Sequence, residues 1–296
     1  MASLSDWIAG ARPRTLPAAI APVIVGTAAA AAHLNLEEEQ TGAVLGFALL
    51  ALLVSCCLQI GVNYANDYSD GIRGTDEERV GPVRLVGQGL AEPADVKAMA
   101  FAFLGLGGFF GFALVALSAA WILLPIGALA ILAAWRYTGG DNPYGYRWLG
   151  EVYVFIFFGL VATLGTLYTQ IGTITPIGVL GAIGVGSLAS AILVANNLRD
   201  IPTDSETGKT TLAVRLGDAG TRRLYLALFL VAAVCTLLMA IWQVWAPVAL
   251  LGLLVARPGI RAVRSGATGR ALIPALGLTG IAELAWAVLL VVPLAV

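Results

Sequence analysis

From Ile174 to Asp204 the chain reads ITPIGVLGAIGVGSLASAILVANNLRDIPTD. Residues 174–195 carry no charge, and the run then breaks into Asn196-Asn197-Leu198-Arg199-Asp200 and continues to Asp204. A helix that crosses a bilayer needs roughly 17–25 mostly apolar residues, so the first part of this stretch predicts a membrane span. The second part predicts an acidic cluster where that span emerges. Working outward, the same kind of stretch recurs. Candidate spans fall at about 15–33, 42–64, 98–118, 120–137, 152–171, 174–195, 222–242, 244–256 and 271–294, the third and fourth divided only near Leu117–Trp121. The composition agrees: 59% of the 296 residues are hydrophobic and 12% are charged, against about 25% charged in a soluble domain. Too little polar surface exists to cover a water-soluble globule. The fold class is therefore all-α, a polytopic membrane protein of about nine helices. It is read as a single domain over 1–296 with two pseudo-repeated parts, about 1–140 and 141–296.

The second acidic cluster is Asn63-Tyr64-Ala65-Asn66-Asp67-Tyr68-Ser69-Asp70, continued by Gly71-Ile72-Arg73-Gly74-Thr75-Asp76. Both clusters contain Asn-x-x-x-Asp, Asn63 matching Asn196 and Asp67 matching Asp200. On a helix, positions i, i+4 and i+7 or i+8 share a face. Asn63, Asp67 and Asp70 are thus expected to project together, as are Asn196, Asp200 and Asp204. Carboxylate and amide oxygens are hard ligands that suit Mg²⁺, which binds one or two carboxylates, waters and substrate phosphates. The expected metal ligands are Asp67, Asp70, Asp200 and Asp204, with Asn63 and Asn196; Asn66 and Asn197 are secondary or orienting groups. Arg73, Arg79, Arg84, Arg199 and Lys209 are placed to neutralise phosphate oxygens. The bland alternative, solvated loop charges with capping Asn and Asp, weakens once the motif occurs at two helix ends. Acids at membrane depth are costly unless they are partnered or functional.

Charge placement orients the chain. With nine spans, all 17 Lys and Arg residues fall on one side or at its helix ends, while Glu37, Glu38 and Glu39 lie on the other. The basic side is expected to be cytoplasmic, with the N-terminus inside and the C-terminus outside a cell (inner) membrane. No cleavable leader is evident. Cys56, Cys57 and Cys235 sit in apolar runs and read as packing residues. Glycine is abundant at small-residue spacings such as Gly178, Gly181 and Gly184, which suits close helix packing in lipid.

At these residues the chain resembles the UbiA superfamily of intramembrane aromatic prenyltransferases. The resemblance also runs through Arg12-Pro13-Arg14-Thr15-Leu16, Glu78–Arg84, Pro143-Tyr144-Gly145-Tyr146, Gly150-Glu151-Val152, Phe157-Phe158-Gly159 and Lys209-Thr210. The Glu78–Arg84 and Pro143–Glu151 stretches are similar to the branch that prenylates 1,4-dihydroxy-2-naphthoate. The region Arg136–Asp141 lacks the Lys-Arg pair usual in members that act on 4-hydroxybenzoate or haem. The resemblance implies a helical ring around a central cavity with the motifs at its mouth. It implies Mg²⁺-dependent transfer from a polyprenyl diphosphate to the naphthoate, with loss of CO₂ and diphosphate, giving demethylmenaquinol. No protein partner or nucleic acid is implied.

Cation character develops on the allylic carbon in such a reaction, and aromatic faces attract cations. Tyr64, Tyr68, Tyr137 and Tyr146 are the candidates, against the ordinary enrichment of Tyr at membrane interfaces. Glu151 is a candidate for contact with the acceptor or proton transfer, with Glu283 a weaker one. Gln59 and Gln170 read as helix–helix hydrogen bonders. Competing readings are another aromatic acceptor (4-hydroxybenzoate, homogentisate or a porphyrin), an alcohol phosphatidyltransferase and a cation-binding transporter. The phosphatidyltransferase would carry one compact Asp motif in a single helix. The transporter would carry its acids at mid-depth.

Overall fold

The computed structural model describes residues 2–34, 38–74 and 83–295. Arg79, Glu37 and most of the Glu78–Arg84 stretch lie outside them. The described residues are almost wholly helical: α1 (Leu4–Gly10), α2 (Pro17–Ala31), α3 (Glu38–Ile72), α4 (Pro93–Ser118) and α5 (Leu123–Arg136), then α6 (Gly150–Ile171), α7 (Pro176–Glu206), α8 (Leu212–Met239), α9 (Ala246–Arg264) and α10 (Gly269–Val292). Seven are long and apolar enough to cross a bilayer. The segment Leu4–Thr15 and α2, bent by 47° at their junction, form an eighth, and α5 is a shorter apolar helix. Each predicted span thus has a helix. The predicted loop at 257–270 is shorter than expected, because α9 remains helical to Arg264. Arg257, Arg261 and Arg264 recur at i, i+4 and i+7 and stand exposed on one face, so charge rather than a chain break ends that apolar run.

Local sequence sets the ends. Ser3 caps α1 and accepts from the Asp6 N–H, while the Asp6 carboxylate accepts from the Ser3 N–H, a reciprocal capping box. Thr175 caps α7 and is followed by Pro176 at the first position. Between α4 and α5 the chain reverses at Ala119, whose backbone is left-handed (φ 54°).

The core sits around α7, which packs against α2, α6, α8 and α10. Its small residues make this possible: a Cβ at Gly184 would lie 2.6 Å from the Trp286 ring, and one at Gly181 2.6 Å from Val25. Backbone meets backbone closely at α6, where a Cβ at Gly159 would lie 2.5 Å from the Gly186 Cα. At that contact α6 adopts a π-helical turn over Phe155–Val161, the kind of local widening that accommodates close packing or function. Gln170 donates to Thr27 Oγ1 (2.9 Å), and Gln59 to Thr15 Oγ1 (2.9 Å), joining helices as expected of amides in lipid. Among the described residues all three cysteines are free thiols.

Candidate active site

A cavity of about 1040 Å³ runs up the interior between α3, α4, α5 and α6. Its far part is apolar, lined by Leu58, Phe112, Leu124, Ile131, Phe157 and Val161, whereas its mouth is lined by Asn63, Asn66, Asp70, Asn196 and Asn197 with Arg84, Arg199 and Lys209. The mouth is formed where α3 and α7 end, because both acidic motifs are helical throughout. The residues of α3 on this wall are Asn63, Asn66 and Asp70, at i, i+3 and i+7; Asp67, expected to project with Asn63 and Asp70, is not on it, and of Asn196, Asp200 and Asp204 only Asn196 is.

All four motif carboxylates are buried: Asp67, Asp70, Asp200 and Asp204 expose 4% or less. Buried carboxylates need compensating partners, and the partners differ. Asp67 accepts the backbone N–H groups of Leu85 (2.9 Å) and Val86 (3.0 Å), which pins the loop before α4. Asp70 accepts from the Tyr146 hydroxyl (2.7 Å). Asp200 is gripped by its neighbour Arg199 through Nε (2.6 Å) and Nη2 (2.7 Å), and Arg199 also donates to Asn196 Oδ1 (2.9 Å). Asp204 faces Lys209 Nζ at 3.8 Å. Asp70 is the carboxylate on the cavity wall; Asp67, Asp200 and Asp204 do not form part of it.

Tyr146 joins the two motifs. Its hydroxyl bonds Asp70, and its ring lies 4.8 Å from Lys209 Nζ and 5.4 Å from the Arg73 guanidinium carbon, both cation–π contacts. Arg73 itself donates to the carbonyls of Thr138 and Gly140, so it ties α3 to the loop after α5. Asn66 accepts from Thr138 Oγ1 (2.7 Å) on the same loop. Asn63 spends its amide N–H groups on the Ala11 carbonyl (2.9 Å) and Thr15 Oγ1 (3.0 Å), holding the N-terminal segment. Asn197 donates to Glu151 Oε1 (2.8 Å). Glu151 is buried at the start of α6, and its Oε2 has no hydrogen-bond partner among the described residues.

The aromatic expectation needs correction. Tyr64 and Tyr68 lie one helical turn apart on a different face of α3 from Asn63, Asn66 and Asp70, and neither lines the cavity. Tyr64 donates to the Trp7 carbonyl (2.7 Å), and Tyr68 stacks on Trp135 with Lys97 over its ring. Tyr137 does line the cavity, joined by Tyr144 and Tyr153, which sequence reading missed as site residues. Tyr144 and Tyr153 stack at 3.9 Å, and Tyr137 meets Tyr144 edge-on at 5.5 Å. Burial pushes the Tyr144 phenol far above its usual range, so it stays a neutral donor, here to the Ala133 carbonyl. A signal existed: Tyr153 and Phe157 are four apart in a span that also carries Glu151. Arg12 and Arg14 also line the cavity, though sequence reading gave them no role. Glu283 is fully buried in α10 and is not among the residues that line the cavity.

Among the described residues no three acidic, His or Cys side chains converge on one point. The oxygen donors instead come in pairs, two carboxylates from each helix end with flanking amides. That set fits Mg²⁺, which needs one or two carboxylates and completes its shell with water and phosphate.

A helical membrane bundle with paired Asn/Asp helix ends over an apolar cavity defines an intramembrane enzyme acting on a lipid with a charged head. The chain belongs to the UbiA prenyltransferase family, whose model matches residues 19–267. It is 54% identical over 288 residues to the 1,4-dihydroxy-2-naphthoate octaprenyltransferase of Mycobacterium tuberculosis, covering 97% of this chain and 96% of that one. Its fold is similar to the apo structure of a UbiA homolog from Aeropyrum pernix (TM-score 0.68, 15% identity, 93% of this chain and 97% of that one). It is also similar to a UbiA homolog from Archaeoglobus fulgidus bound to DMAPP and Mg²⁺ (TM-score 0.59, 16% identity, 97% and 99%).

Proposed function

We propose that the chain transfers a polyprenyl group from a polyprenyl diphosphate to 1,4-dihydroxy-2-naphthoate, releasing diphosphate and CO₂ and giving demethylmenaquinol. The observation that carries the reaction type is a cavity apolar along its length and lined by Asn, Asp, Arg and Lys only at its mouth. Such a cavity matches a molecule with a diphosphate head and an isoprenoid tail. The acceptor follows from the near full-length similarity to the mycobacterial naphthoate enzyme.

Asp67, Asp70, Asp200 and Asp204, with Asn63 and Asn196 beside them, would hold Mg²⁺, which supplies Lewis-acid neutralisation of the diphosphate when bound. Arg84 and Lys209, both on the wall, would meet the phosphate oxygens. Arg199 is held by Asp200 in this state and is available to phosphate if Asp200 turns to a cation. As the bond between the allylic carbon and the diphosphate oxygen breaks, positive charge grows on that carbon. Tyr137 and Tyr144, both on the wall, are the aromatic groups assigned to stabilise it. The apolar lining excludes water that would otherwise trap the cation. The naphthoate ring forms the new carbon–carbon bond, and loss of CO₂ returns its bonding pair to the ring. Glu151, bonded to the wall residue Asn197, is assigned to take the hydroxyl proton during attack and to return it as CO₂ leaves, so that the quinol keeps both hydroxyls.

The motif-bearing face is assigned to the cytoplasm, and the chain to one domain whose halves each supply a motif-bearing helix. Segregation of the basic residues supports the orientation. Labelling of a single cysteine at exposed Ser265 by an impermeant maleimide in intact cells would reverse it.

The deciding assay supplies purified protein, Mg²⁺ and one polyprenyl diphosphate with either the naphthoate or 4-hydroxybenzoate. Prenylated quinol and CO₂ from the naphthoate are expected. Transfer to 4-hydroxybenzoate alone would overturn the acceptor.

A further inference from the structure

The N-terminal segment is fastened to the cavity mouth by bonds that converge on one turn. Asn63 donates to the Ala11 carbonyl and to Thr15 Oγ1, Gln59 donates to the same Thr15 oxygen, and Thr15 donates back to the Arg12 carbonyl (2.9 Å). Within that turn Arg12 holds a left-handed backbone (φ 53°, ψ 66°), a strained conformation for a residue with a Cβ. Strain of this kind persists where the surroundings over-determine it, often at a ligand clamp. Its result here is that both Arg12 and Arg14 line the cavity.

The wall beside them is hollow. Gly280 of α10 packs on this turn, a Cβ there lying 3.7 Å from Pro17 and 3.9 Å from the Arg14 carbonyl oxygen. One helical turn earlier, a Cβ on Gly277 would meet no atom within 4 Å. Gly277, Leu276, Ile273 and Ile192 line the same cavity as Arg14. The chamber therefore has apolar walls, open space beside a glycine, and arginines on its rim. The remaining cations of the second motif are occupied differently: Arg199 grips Asp200 and Lys209 faces Asp204.

We infer that this chamber is the acceptor subsite: Arg14, with Arg12 beside it, binds the carboxylate of the aromatic acceptor, and the flat ring lies against the Gly277 wall. The inference rests on the reading of the chain as a prenyltransferase for a carboxylated aromatic. Its chemistry is direct. A carboxylate acceptor would be repelled by the four motif carboxylates, so it requires a cation site of its own on a separate element. A guanidinium offers a fork that matches a carboxylate. Asn63, Gln59 and Thr15 are then positioning residues that hold the turn.

The test compares KM values in the full-length protein for the naphthoate and for 1,4-dihydroxynaphthalene, the same ring without its carboxylate, with one polyprenyl diphosphate. Arg14→Gln is expected to raise the naphthoate KM about tenfold or more, leave the donor KM within about twofold and erase the preference over the diol, as loss of a polar anchor does. Arg14→Lys should recover part of the preference. Gly277→Leu should raise the KM of both acceptors and leave the donor KM unchanged. Because Arg14 is exposed, its replacement does not threaten folding, and it decides the matter even if Arg12→Gln fails to fold. An unchanged naphthoate KM in Arg14→Gln, or equal rises in donor and acceptor KM, would overturn the subsite. A wild type that prefers 4-hydroxybenzoate overturns the naphthoate reading alone, and the Arg14 comparison is then scored with that acid. A wild type that prefers the uncarboxylated diol overturns both.

Discussion

The two acidic motifs share a pattern and differ in what they hold. In the first, the carboxylates reach away from their own helix: Asp67 to the Leu85 and Val86 amides, Asp70 to Tyr146. In the second, they turn to basic residues close in sequence: Asp200 to Arg199, Asp204 to Lys209. The first motif therefore organises the mouth of the cavity, and the second carries its own counter-charges. A self-neutralised motif can exchange partners when a cation and an anion arrive together, whereas a motif tied to backbone must keep its geometry. The difference assigns the scaffold to α3 and the adjustable charge to α7.

The largest effect that tests this contrast is loss of one carboxylate from each motif. Asp70→Ala and Asp200→Asn are each expected to lower kcat by about a thousandfold or more, in the range of removed charge stabilisation; measurement is prenyl transfer at saturating Mg²⁺. Activity within tenfold of wild type for both would remove the motifs from the chemistry. Asp67→Asn separates scaffold from charge. An amide accepts from one of the two backbone N–H groups but sets a donor against the other, costing about 1–3 kcal/mol. Faster amide exchange at Leu85 and Val86 should follow, with no such change in Asp200→Asn. Tyr146→Phe keeps the ring over Lys209 and deletes the bond to Asp70, so a fall of about tenfold is expected, with Tyr146→Leu falling further because the cation–π contacts go too. The smallest change in rate belongs to the far end of the cavity. A Cβ at Gly165 would meet open space, so Gly165→Leu should fill tail volume, reduce use of long donors and leave a short allylic diphosphate almost unaffected.

Much of this was legible in the sequence because hydropathy and helical spacing are local properties. The nine apolar runs, the helical register of Asn63 with Asp70, and the two motifs at one face all follow from spacing. What was hidden depends on rotation and distant partners. Tyr64 and Tyr68 sit in the motif by sequence, yet helix rotation turns them toward Trp7 and Trp135. Arg199 reads as a phosphate ligand until its grip on the adjacent Asp200 is seen. The fold-back of Arg12–Thr15 depends on an amide from α3 roughly fifty positions later, which no local pattern announces.

The π-helical turn at Phe155–Val161 has a consequence for how this wall can change over time. Tyr153, Phe157, Val161, Gly165 and Thr169 all line the cavity at intervals of four. An ordinary α-helix would drift by ~40° at each such step and carry the stripe around to lipid. The wider turn takes up one extra residue and resets the phase midway. Individual side chains along the stripe are therefore free to vary in size and retune the tail compartment, but the count of residues is not. Deleting a single residue between Phe155 and Val161 would swing half the stripe out of the cavity and pull Gly159 off Gly186. Divergence along α6 should proceed by substitution, with insertions and deletions excluded from this one segment.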